Sequence, residues 1–340
     1  MKKLRVLLLV HSSLIPPEDL SEDDPRMETY RTEYDVRTVL ATLGHDILVT
    51  GVYDDLAPIR AALEDWQPDI VFNLLEEFAG NPALDYYIVS YLEMLGIAYT
   101  GCNPRGLMLA RDKALSKLLL SHHRIHAPDF RIFPLGRSIR PPKASLYPLI
   151  VKSRTHEGSV GLAQASFVTN EQQLRERVAL IHEMTHDDAI AECYIEGREL
   201  YVSVLGNTRL TVLPFRELLF GDSATDTPQL ATYKVKWDQN YRDRRNISYE
   251  FATDLPEALQ NYINRICKRA CRILDLNGYM RFDIRLNAEN RPYILEANPN
   301  PGISTIEDIS WSAQQAGLDY PAFIQRLLGL GLRANRSCQV

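Results

Sequence analysis

Three consecutive segments, RFDIRLN (281–287), AEN (288–290) and RPYILEANPNPG (291–302), carry the pattern that decides the fold. The outer two alternate polar and apolar residues with period two and the middle one is turn-type sequence, so they predict a β-hairpin. If the hairpin is symmetric about the bond between residues 289 and 290, Asp283 lies opposite Glu296 and Arg281 lies opposite Asn298. All four side chains then share one face. The other face, predicted to enter a core, carries Phe282, Ile284, Leu295 and Ala297.

The shared face of this hairpin suggests a metal site. Two carboxylates that lie opposite each other repel unless a cation lies between them. Carboxylate and amide oxygens are the ligands that Mg²⁺ prefers, and Mg²⁺ in such sites usually also holds the phosphates of a nucleotide. A solvated polar face on an ordinary hairpin is the alternative, and this segment alone does not decide between the two.

Composition limits the class of protein. The chain has 340 residues, 45% of them hydrophobic, and a net charge of −6. This length allows two or three packed domains, and the charge argues against a nucleic-acid partner. Five scattered cysteines favour a reducing compartment over a disulfide framework. The apolar run 6–10 is too short for a membrane span and lacks a cleavage site, so a cytoplasmic protein without a membrane segment is expected.

The order of patterns predicts an α/β protein. Short apolar runs alternate with helical periodicity over the first hundred residues, which predicts a doubly wound, mostly parallel sheet with strands at 5–10, 46–52, 69–73 and 97–100. The acidic segment 16–30 is predicted to be a mobile loop, and 104–121 a long helix. We divide the chain into an N-terminal Rossmann-like substrate domain (1–103), a central subdomain (104–189) and a C-terminal subdomain (190–340).

Three weaker signals suggest a nucleotide site. Lys152 ends a predicted strand and precedes a small-residue turn, which is a phosphate-binding arrangement, although a surface hairpin explains it equally simply. The apolar segment 191–195 can present backbone groups to an adenine edge, and Glu199 can accept from ribose hydroxyls. An ordinary strand–turn–strand gives the same pattern. Lys113 is compatible with an ordinary solvated helix charge.

Taken in order, these signals resemble an ATP-grasp carboxylate–amine ligase, and most closely the D-alanine–D-alanine ligases. The resemblance extends over residues 92–317 and more loosely over the first 90. It is carried by LEMLGIAYTG (92–101), DKALSK (112–117), LIVK (149–152), EGSVG (157–161), YIEGRE (194–199), MRFD (280–283) and LEANPNPG (295–302). It implies an ATP-grasp fold, in which a doubly wound N-terminal domain precedes two α+β subdomains that clamp ATP.

The resemblance also implies roles for individual residues. The residues that contact the ATP phosphates are Lys113, Lys152 and Lys236, under a closing loop that contains Glu157, Gly158 and Ser159. Adenine is held by Glu192, Tyr194 and Ile195, and ribose by Glu199. Two Mg²⁺ ions, for which Mn²⁺ can substitute, are ligated by Asp283, Glu296 and Asn298. The catalytic residues are Lys236, Arg281 and Gly302, the last two stabilising the oxyanion of a tetrahedral intermediate.

The implied reaction forms an amide. A substrate carboxylate attacks the γ-phosphorus of ATP, and an amine then attacks the acyl phosphate, which releases ADP and phosphate. The segment 220–236 is expected to act as a lid that excludes water. Small amino-acid or peptide substrates and a homodimer are expected. The alternatives are a D-alanine–D-alanine ligase of cell-wall synthesis and a non-catalytic ATP-binding regulatory protein.

The predicted substrate end departs from the family. D-alanine ligases open with a Gly-Gly loop and a glutamate that holds the ammonium group of the first substrate. This chain has HSSL at 11–14 instead, with Glu28 or Glu33 as substitutes, and Glu76 lies where the family has a His-Gly element. Glu307 occupies the position that usually offers serine to the carboxylate of the second substrate. Its charge would repel that carboxylate and suit a cationic or neutral partner.

Overall fold

The computed structural model describes residues 2–156, 162–221 and 229–338. Its N-terminal unit comprises β1 (Arg5–His11), α1 (Met27–Thr42), β2 (Asp46–Val52), α2 (Ala57–Trp66), β3 (Ile70–Asn73) and α3 (Asp85–Met94). The strands form a parallel sheet of order β2-β1-β3. The central strand β1 is a continuous apolar run because α1 covers one of its faces, and α2 and α3 cover the other. The predicted doubly wound parallel sheet is confirmed.

Two boundaries in this unit differ from the prediction. The helix α1 begins at Met27, whose side chain is buried, so the predicted loop 16–30 was wrong at its end. The segment 97–100 is not a strand. Tyr99 makes one isolated parallel bridge to Val71, and Gly101, with a φ of 102°, then turns the chain away from the sheet.

The central region is a helix pair followed by an antiparallel sheet. Its elements are α4 (Pro104–Arg111), α5 (Lys113–His122), β4 (Phe130–Phe133), β5 (Leu149–Ser153), β6 (Phe167–Val168), α6 (Glu171–Thr185) and β7 (Ala189–Cys193). The sheet has the order β4-β7-β5-β6. One face packs on α6 through residues such as Leu149, Val151 and Val178. Since side chains alternate along a strand, Ile150 and Lys152 lie on the opposite face, which remains open to a cleft.

The predicted helix 104–121 is two helices. Asp112 lies between them in an extended conformation, and its side chain accepts hydrogen bonds from the N–H groups of Ala114 and Leu115 at 3.0 Å. The prediction of one helix was wrong because this carboxylate caps a new helix at Lys113.

The C-terminal region holds the largest sheet. Its elements are β8 (Arg198–Gly206), β9 (Thr211–Val212), β10 (Arg216–Leu219), α7 (Tyr233–Trp237), α8 (Gln239–Arg245), β11 (Ser248–Phe251), α9 (Glu257–Ile273), β12 (Gly278–Leu286), β13 (Pro292–Pro299), α10 (Asp308–Gln315) and α11 (Tyr320–Cys338). The sheet has the order β11-β10-β8-β12-β13, with β9 paired to β8. The apolar stripe of α9, including Ile263, Ile266 and Ala270, packs on Val202 and Phe282 of one sheet face. The other face lines the cleft.

The hairpin of β12 and β13 has the register that the sequence predicts at its functional end. Asp283 pairs with Glu296, and Arg281 pairs with Asn298. The predicted facing of these four residues is confirmed. The predicted pairing holds only in the part of the hairpin away from the turn, because the turn itself differs from the prediction.

A β-bulge follows the turn. The turn joins Asn287 to Arg291, and Ile284 pairs with Ile294, one residue out of the predicted register. A register shift between Asp283 and Ile284 restores the predicted pairing. Leu295 is the extra residue of the bulge. It lines the cleft and was wrongly assigned to the core, where Ile294 lies instead.

The helix α11 packs on the N-terminal sheet. Phe323, Leu327 and Leu328 share a core with Val6 and Leu8 of β1. The N-terminal and C-terminal parts of the chain therefore bury a common apolar surface. Among the helices of the described residues, none is both long and apolar enough to cross a membrane.

Candidate active site

A cleft separates the open face of the central sheet from the open face of the largest sheet. The central sheet and α5 contribute Ile150, Lys152, Glu192 and Lys113, and the largest sheet contributes Glu199, Asp283, Arg285 and Glu296. Every one of these residues lies on the face of its strand or helix that the apolar core leaves free. The period-two pattern of the strands therefore determines which side chains enter the cleft.

Lysine side chains form one wall of the cleft, which Lys113 and Lys152 line, while Lys117 is buried next to Glu192. Lys113 and Lys117 lie four residues apart on α5 and project from the same side. Lys113 Nζ lies 2.9 Å from Glu296 Oε1. Lys117 Nζ lies 2.9 Å from Glu192 Oε1, and Lys152 Nζ lies 3.2 Å from Glu192 Oε2. Sequence reasoning missed Lys117, although the spacing of lysines in DKALSK was the available signal.

Burial and the neighbouring charges together set the pKa values of these groups. Burial lowers the pKa of Lys117 to about 8, although Glu192 favours the charged form. Burial alone would raise the pKa of Glu192 and of Glu296, but the neighbouring lysines outweigh it and hold both pKa values below the usual range. The wall therefore gathers positive charge in a place with little solvent, which suits a polyphosphate.

An apolar slot adjoins the lysine wall. Ile150, Tyr194, Ile195 and Leu230 line it. The N–H of Tyr194 donates to Pro148 O at 3.0 Å, so that group is used within the protein. The residues predicted to hold adenine, Tyr194 and Ile195, both line this slot, and their role in binding adenine stays a prediction.

Two predicted nucleotide residues have protein partners in this structure. Glu192 lies among the lysines at the edge of the apolar slot, so its assignment to adenine stays a prediction. Glu199 accepts hydrogen bonds from Arg285 at 2.6 and 2.9 Å and from the Tyr201 hydroxyl at 3.1 Å. A ribose hydroxyl would have to share this carboxylate with Arg285.

The predicted metal ligands meet at the far side of the cleft. Asp283 Oδ1 accepts from Arg281 Nε at 2.8 Å and from Asn298 Nδ2 at 3.2 Å, and Lys236 Nζ lies 3.4 Å from Oδ2. Both Asp283 and Glu296 are thus neutralised by basic side chains. Over the described ranges, no three His, Cys, Asp or Glu side chains form a metal-binding group. The predicted set has two carboxylates and one amide, whose hard oxygens fit Mg²⁺.

The predicted oxyanion residues lie beside the cleft and not in its lining, since Arg281 binds Asp283 and Gly302 lines a neighbouring cavity. The guanidinium of Arg281 lies over the Tyr201 ring, with its Cζ 4.8 Å from the ring centroid. Gly302 lies against Glu307, since a Cβ built on Gly302 would be 3.1 Å from Glu307 Oε1. The turn that carries Gly302 is fixed from α1, because Asp35 Oδ2 accepts from both the N–H and the hydroxyl of Thr305 at 2.8 Å.

A second cavity lies at the carboxyl ends of β1 and β3. Ligands of open α/β sheets usually bind at this edge. The cavity is lined by His11, Glu33, Asn73, Glu76, Glu77 and Gly302, among others. Of the two candidates on α1, Glu33 is 6% exposed and faces this cavity, whereas Glu28 is exposed to solvent elsewhere. Burial raises the pKa of Glu33 to about 7.

Part of the predicted site lies outside the described residues. This applies to Glu157, Gly158 and Ser159 of the phosphate loop, and to residues 222–228 of the predicted lid. The end of that lid is described, and its Lys236 reaches the cleft.

The family model described as D-ala D-ala ligase C-terminus matches residues 139–329. An uncharacterised protein of Sinorhizobium fredii is 32% identical over 264 residues, which cover 78% of this chain and 75% of that protein. The D-alanine–D-alanine ligase of Nitratidesulfovibrio vulgaris is 30% identical over 304 residues, covering 88% and 91%.

The solved structures agree on the fold. The crystal structure of D-alanine–D-alanine ligase from Bacillus anthracis complexed with ATP matches with a TM-score of 0.74 and 20% identity, covering 98% of this chain and 99% of that one. The predicted ATP-grasp fold is confirmed. With a family model that covers more than half of the chain and relatives at this level of identity, the protein belongs to the D-alanine–D-alanine ligase family.

Proposed function

We propose that this protein binds ATP with Mg²⁺ in the cleft and joins an amino-acid or peptide-like carboxylate to an amine. Its family makes it an ATP-dependent carboxylate–amine ligase. The observation that carries the proposal is the cleft itself, where Asp283 and Glu296 face Lys113, Lys152 and Lys236. Opposed carboxylates and lysines at one cleft are the parts that phosphoryl transfer requires.

The proposed reaction has two steps, and the first takes place among the lysines of the cleft. Lys113, Lys152 and Lys236 hold the phosphates of ATP while the substrate carboxylate attacks the γ-phosphorus. Mg²⁺, held by Asp283, Glu296 and Asn298, would neutralise charge on the transferring phosphoryl group. The outcome is an acyl phosphate and ADP.

The second step takes place next to Gly302. Arg281 and the N–H of Gly302 stabilise the oxyanion that forms when the amine attacks the acyl phosphate. Glu33, buried at the second cavity, is our candidate to hold an ammonium group of the carboxylate substrate, with Glu76 nearby. Glu307 is a negative charge beside the reacting centre, so it disfavours an acceptor that carries a carboxylate there.

The first experiment measures ADP release from Mg-ATP with pairs of D- and L-amino acids, diamines and small dipeptides, with products identified by mass. We expect ADP release only when both a carboxylate and an amine are present, together with a product of the mass of both minus water. ADP formation that does not depend on the amine acceptor would contradict ligase activity. Binding of Mg-ATP without turnover would favour the non-catalytic alternative.

A variant of the metal-binding hairpin tests the site. Glu296→Gln should abolish turnover without unfolding the protein, because it removes a charged ligand and leaves the shape of the strand. Glu289→Gln is the matched control, since Glu289 lies exposed in the turn of the same hairpin. Circular dichroism checks the fold of both variants. Undiminished turnover in Glu296→Gln would overturn the metal assignment.

A D-alanine–D-alanine ligase is the second candidate, because relatives with that name match nearly the whole chain. If Glu307 is merely an obstacle to a second D-alanine, Glu307→Ser should improve the use of D-alanine. We also propose a homodimer, which light scattering during size-exclusion chromatography would test.

A further inference from the structure

Glu307 immediately precedes α10, yet its side chain does not cap the helix. The residues that usually cap a helix at this position are Asn, Asp, Ser and Thr, so the longer side chain of Glu307 is free to take another position. Here it lies against Gly302 instead, and a Cβ built on Gly302 would be 3.0 Å from Glu307 Cδ and 3.1 Å from Oε1. The carboxylate is thus held over the backbone that we assign to the oxyanion.

The basic side chains around Glu307 are engaged by other carboxylates. Arg216 lies 3.3 Å and Arg281 lies 3.8 Å from Asp308, the next residue in the chain. Arg281 also binds Asp283 at 2.8 Å. Within residues 2–156, 162–221 and 229–338, no side chain forms an ion pair or hydrogen bond with the Glu307 carboxylate. A half-buried carboxylate without a partner is ready to receive a cationic ligand.

Three charged groups face Glu307, namely Asp308 on α10, Arg281 on β12 and Lys236 on α7. Burial raises the pKa of Glu307 above its ordinary value, and Asp308 adds to this effect, whereas Arg281 and Lys236 oppose it. A carboxylate with a raised pKa is a better proton acceptor near neutral pH.

The second half of the reaction needs a proton acceptor. Primary amines have pKa values of roughly 8 to 10, so the acceptor arrives as an ammonium ion without a lone pair. It becomes a nucleophile only after it has lost a proton, and the acyl phosphate next to it is exposed to hydrolysis in the meantime. A base beside the carbonyl carbon would remove this delay.

We propose that Glu307 binds the acceptor ammonium and takes its proton, acting as the general base of amide formation. The proposal rests on the proposed function and adds a catalytic residue to it. The freed lone pair of nitrogen forms the C–N bond, and the carbonyl π pair moves to oxygen, where Arg281 and the Gly302 N–H stabilise it. The C–O bond to phosphate then breaks as the oxyanion collapses. The second nitrogen proton leaves with the phosphate, and Glu307 returns its own proton to solvent.

The test compares acceptors that differ in basicity. Glu307→Gln should lower kcat for a strongly basic amine acceptor by roughly 100-fold to 10,000-fold, the usual contribution of a general base. Hydroxylamine is already unprotonated at neutral pH, so hydroxamate formation from the same acyl phosphate should be unchanged. Glu257→Gln is the matched control, because Glu257 begins α9 and is exposed, away from the cleft.

The pH dependence gives an independent readout. Because the base must be ionised in the free enzyme, wild-type kcat/KM for the basic amine should fall on the acid side of a transition above the ordinary pKa of glutamate. This acid limb should disappear in Glu307→Gln. If that variant does not fold, Glu307→Ala with added acetate replaces it, and acetate should restore amide formation.

The outcomes separate this inference from the function on which it rests. Equal loss of hydroxamate and amide in Glu307→Gln, or a gain of ligation in Glu307→Ser, would overturn the role as a base and leave the ligase reaction intact. Failure of the wild-type protein to yield hydroxamate, amide or ADP with any substrate pair would overturn both.

Discussion

Glu33 and Lys117 show how differently single buried charges can be compensated. Lys117 is 1% exposed but lies 2.9 Å from a carboxylate of Glu192 and donates to Leu295 O at 2.6 Å. Glu33 is almost as buried, and no ion pair joins it to another residue in the described part of the chain. An uncompensated buried carboxylate destabilises the folded state when it is ionised. A residue of this kind is characteristic of a binding site rather than of a core.

Glu33→Gln should therefore stabilise the protein in alkaline solution. The pKa of Glu33 rises from 4.5 to about 7 in the folded protein, so its folded form retains a proton that the unfolded chain has lost between these values. Stability contributed by this proton is complete below pH 4.5 and is lost as the pH rises through 7. This rise in the pKa of Glu33 corresponds to a loss of about 3 kcal/mol at most in the free energy of unfolding at alkaline pH.

Urea unfolding of the variant and the wild type at pH 4.5 and pH 8 measures this difference. The free energy of unfolding of Glu33→Gln should exceed that of the wild type at pH 8 and equal it at pH 4.5. Glu28→Gln, an exposed change on the same helix, should show no such pH dependence. A difference that is the same at both pH values would mean that ionisation of Glu33 is not its cause.

Among the helices and strands, the start of α5 determines the position of the lysines that line the cleft. Asp112 caps this helix, and its carboxylate also binds Arg154 just beyond β5, with Nη2 at 2.5 Å and Nε at 2.9 Å. One side chain thereby fixes Lys113 on the helix relative to Lys152 on the strand. Asp112 therefore affects the site only by fixing the positions of these two lysines.

Asp112→Ala should weaken both the helix and the binding of nucleotide. Loss of the cap should lower the free energy of unfolding by about 1–2 kcal/mol, and the KM for ATP should rise because Lys113 loses its fixed position. Asn170→Ala is a matched control. Asn170 caps α6 through Gln173 N at 3.0 Å on the covered side of the same sheet. If both variants raise the KM equally, general destabilisation explains the effect.

The same elements show what the sequence could and could not predict. Period-two alternation was sufficient to place Asp283 and Glu296 on the same face. Their direct pairing also required the assumed turn, and it occurs because the bulge offsets the one-residue error in that turn. The break at Asp112 was not predictable, because it depends on local side-chain hydrogen bonds that compete with a continuous helix. The bulge at Leu295 was not predictable either, because the Leu295 carbonyl accepts from Lys117 Nζ, which is distant in sequence. Lys117 was visible in the spacing of DKALSK, but its role depends on Glu192, which is distant in sequence. The domain limits and the residue roles stay predictions.

At the scale of the whole molecule, the N-terminal sheet is completed by the C-terminal helix. Phe323 of α11 is fully buried among residues of β1 and α1. The N-terminal sheet therefore shares its core with α11, while the division at residue 103 stays a prediction. The N-terminal and C-terminal parts, which share this core, should therefore unfold together.

Phe323→Ala should lower the free energy of unfolding by about 3–5 kcal/mol, the usual effect of removing a buried aromatic side chain. Circular dichroism and the fluorescence of the tryptophans should report the same transition in denaturant. Met94→Ala, which truncates a side chain 82% exposed on α3, should change stability little. Two separate transitions, of which only one moves in Phe323→Ala, would mean that the N-terminal unit folds independently.

The ion pairs across the cleft have a consequence for ligand affinity. Lys113 is paired with Glu296 and Lys236 with Asp283, so the free protein already satisfies the charges that its ligands would use. A phosphate that binds one of these lysines leaves its carboxylate without a partner. A divalent cation that binds one of these carboxylates leaves its lysine without a partner. Each ligand would thus remove the competitor of the other, so we expect their binding to be positively cooperative. The factor by which nucleotide tightens the binding of the cation must equal the factor by which the cation tightens the binding of nucleotide.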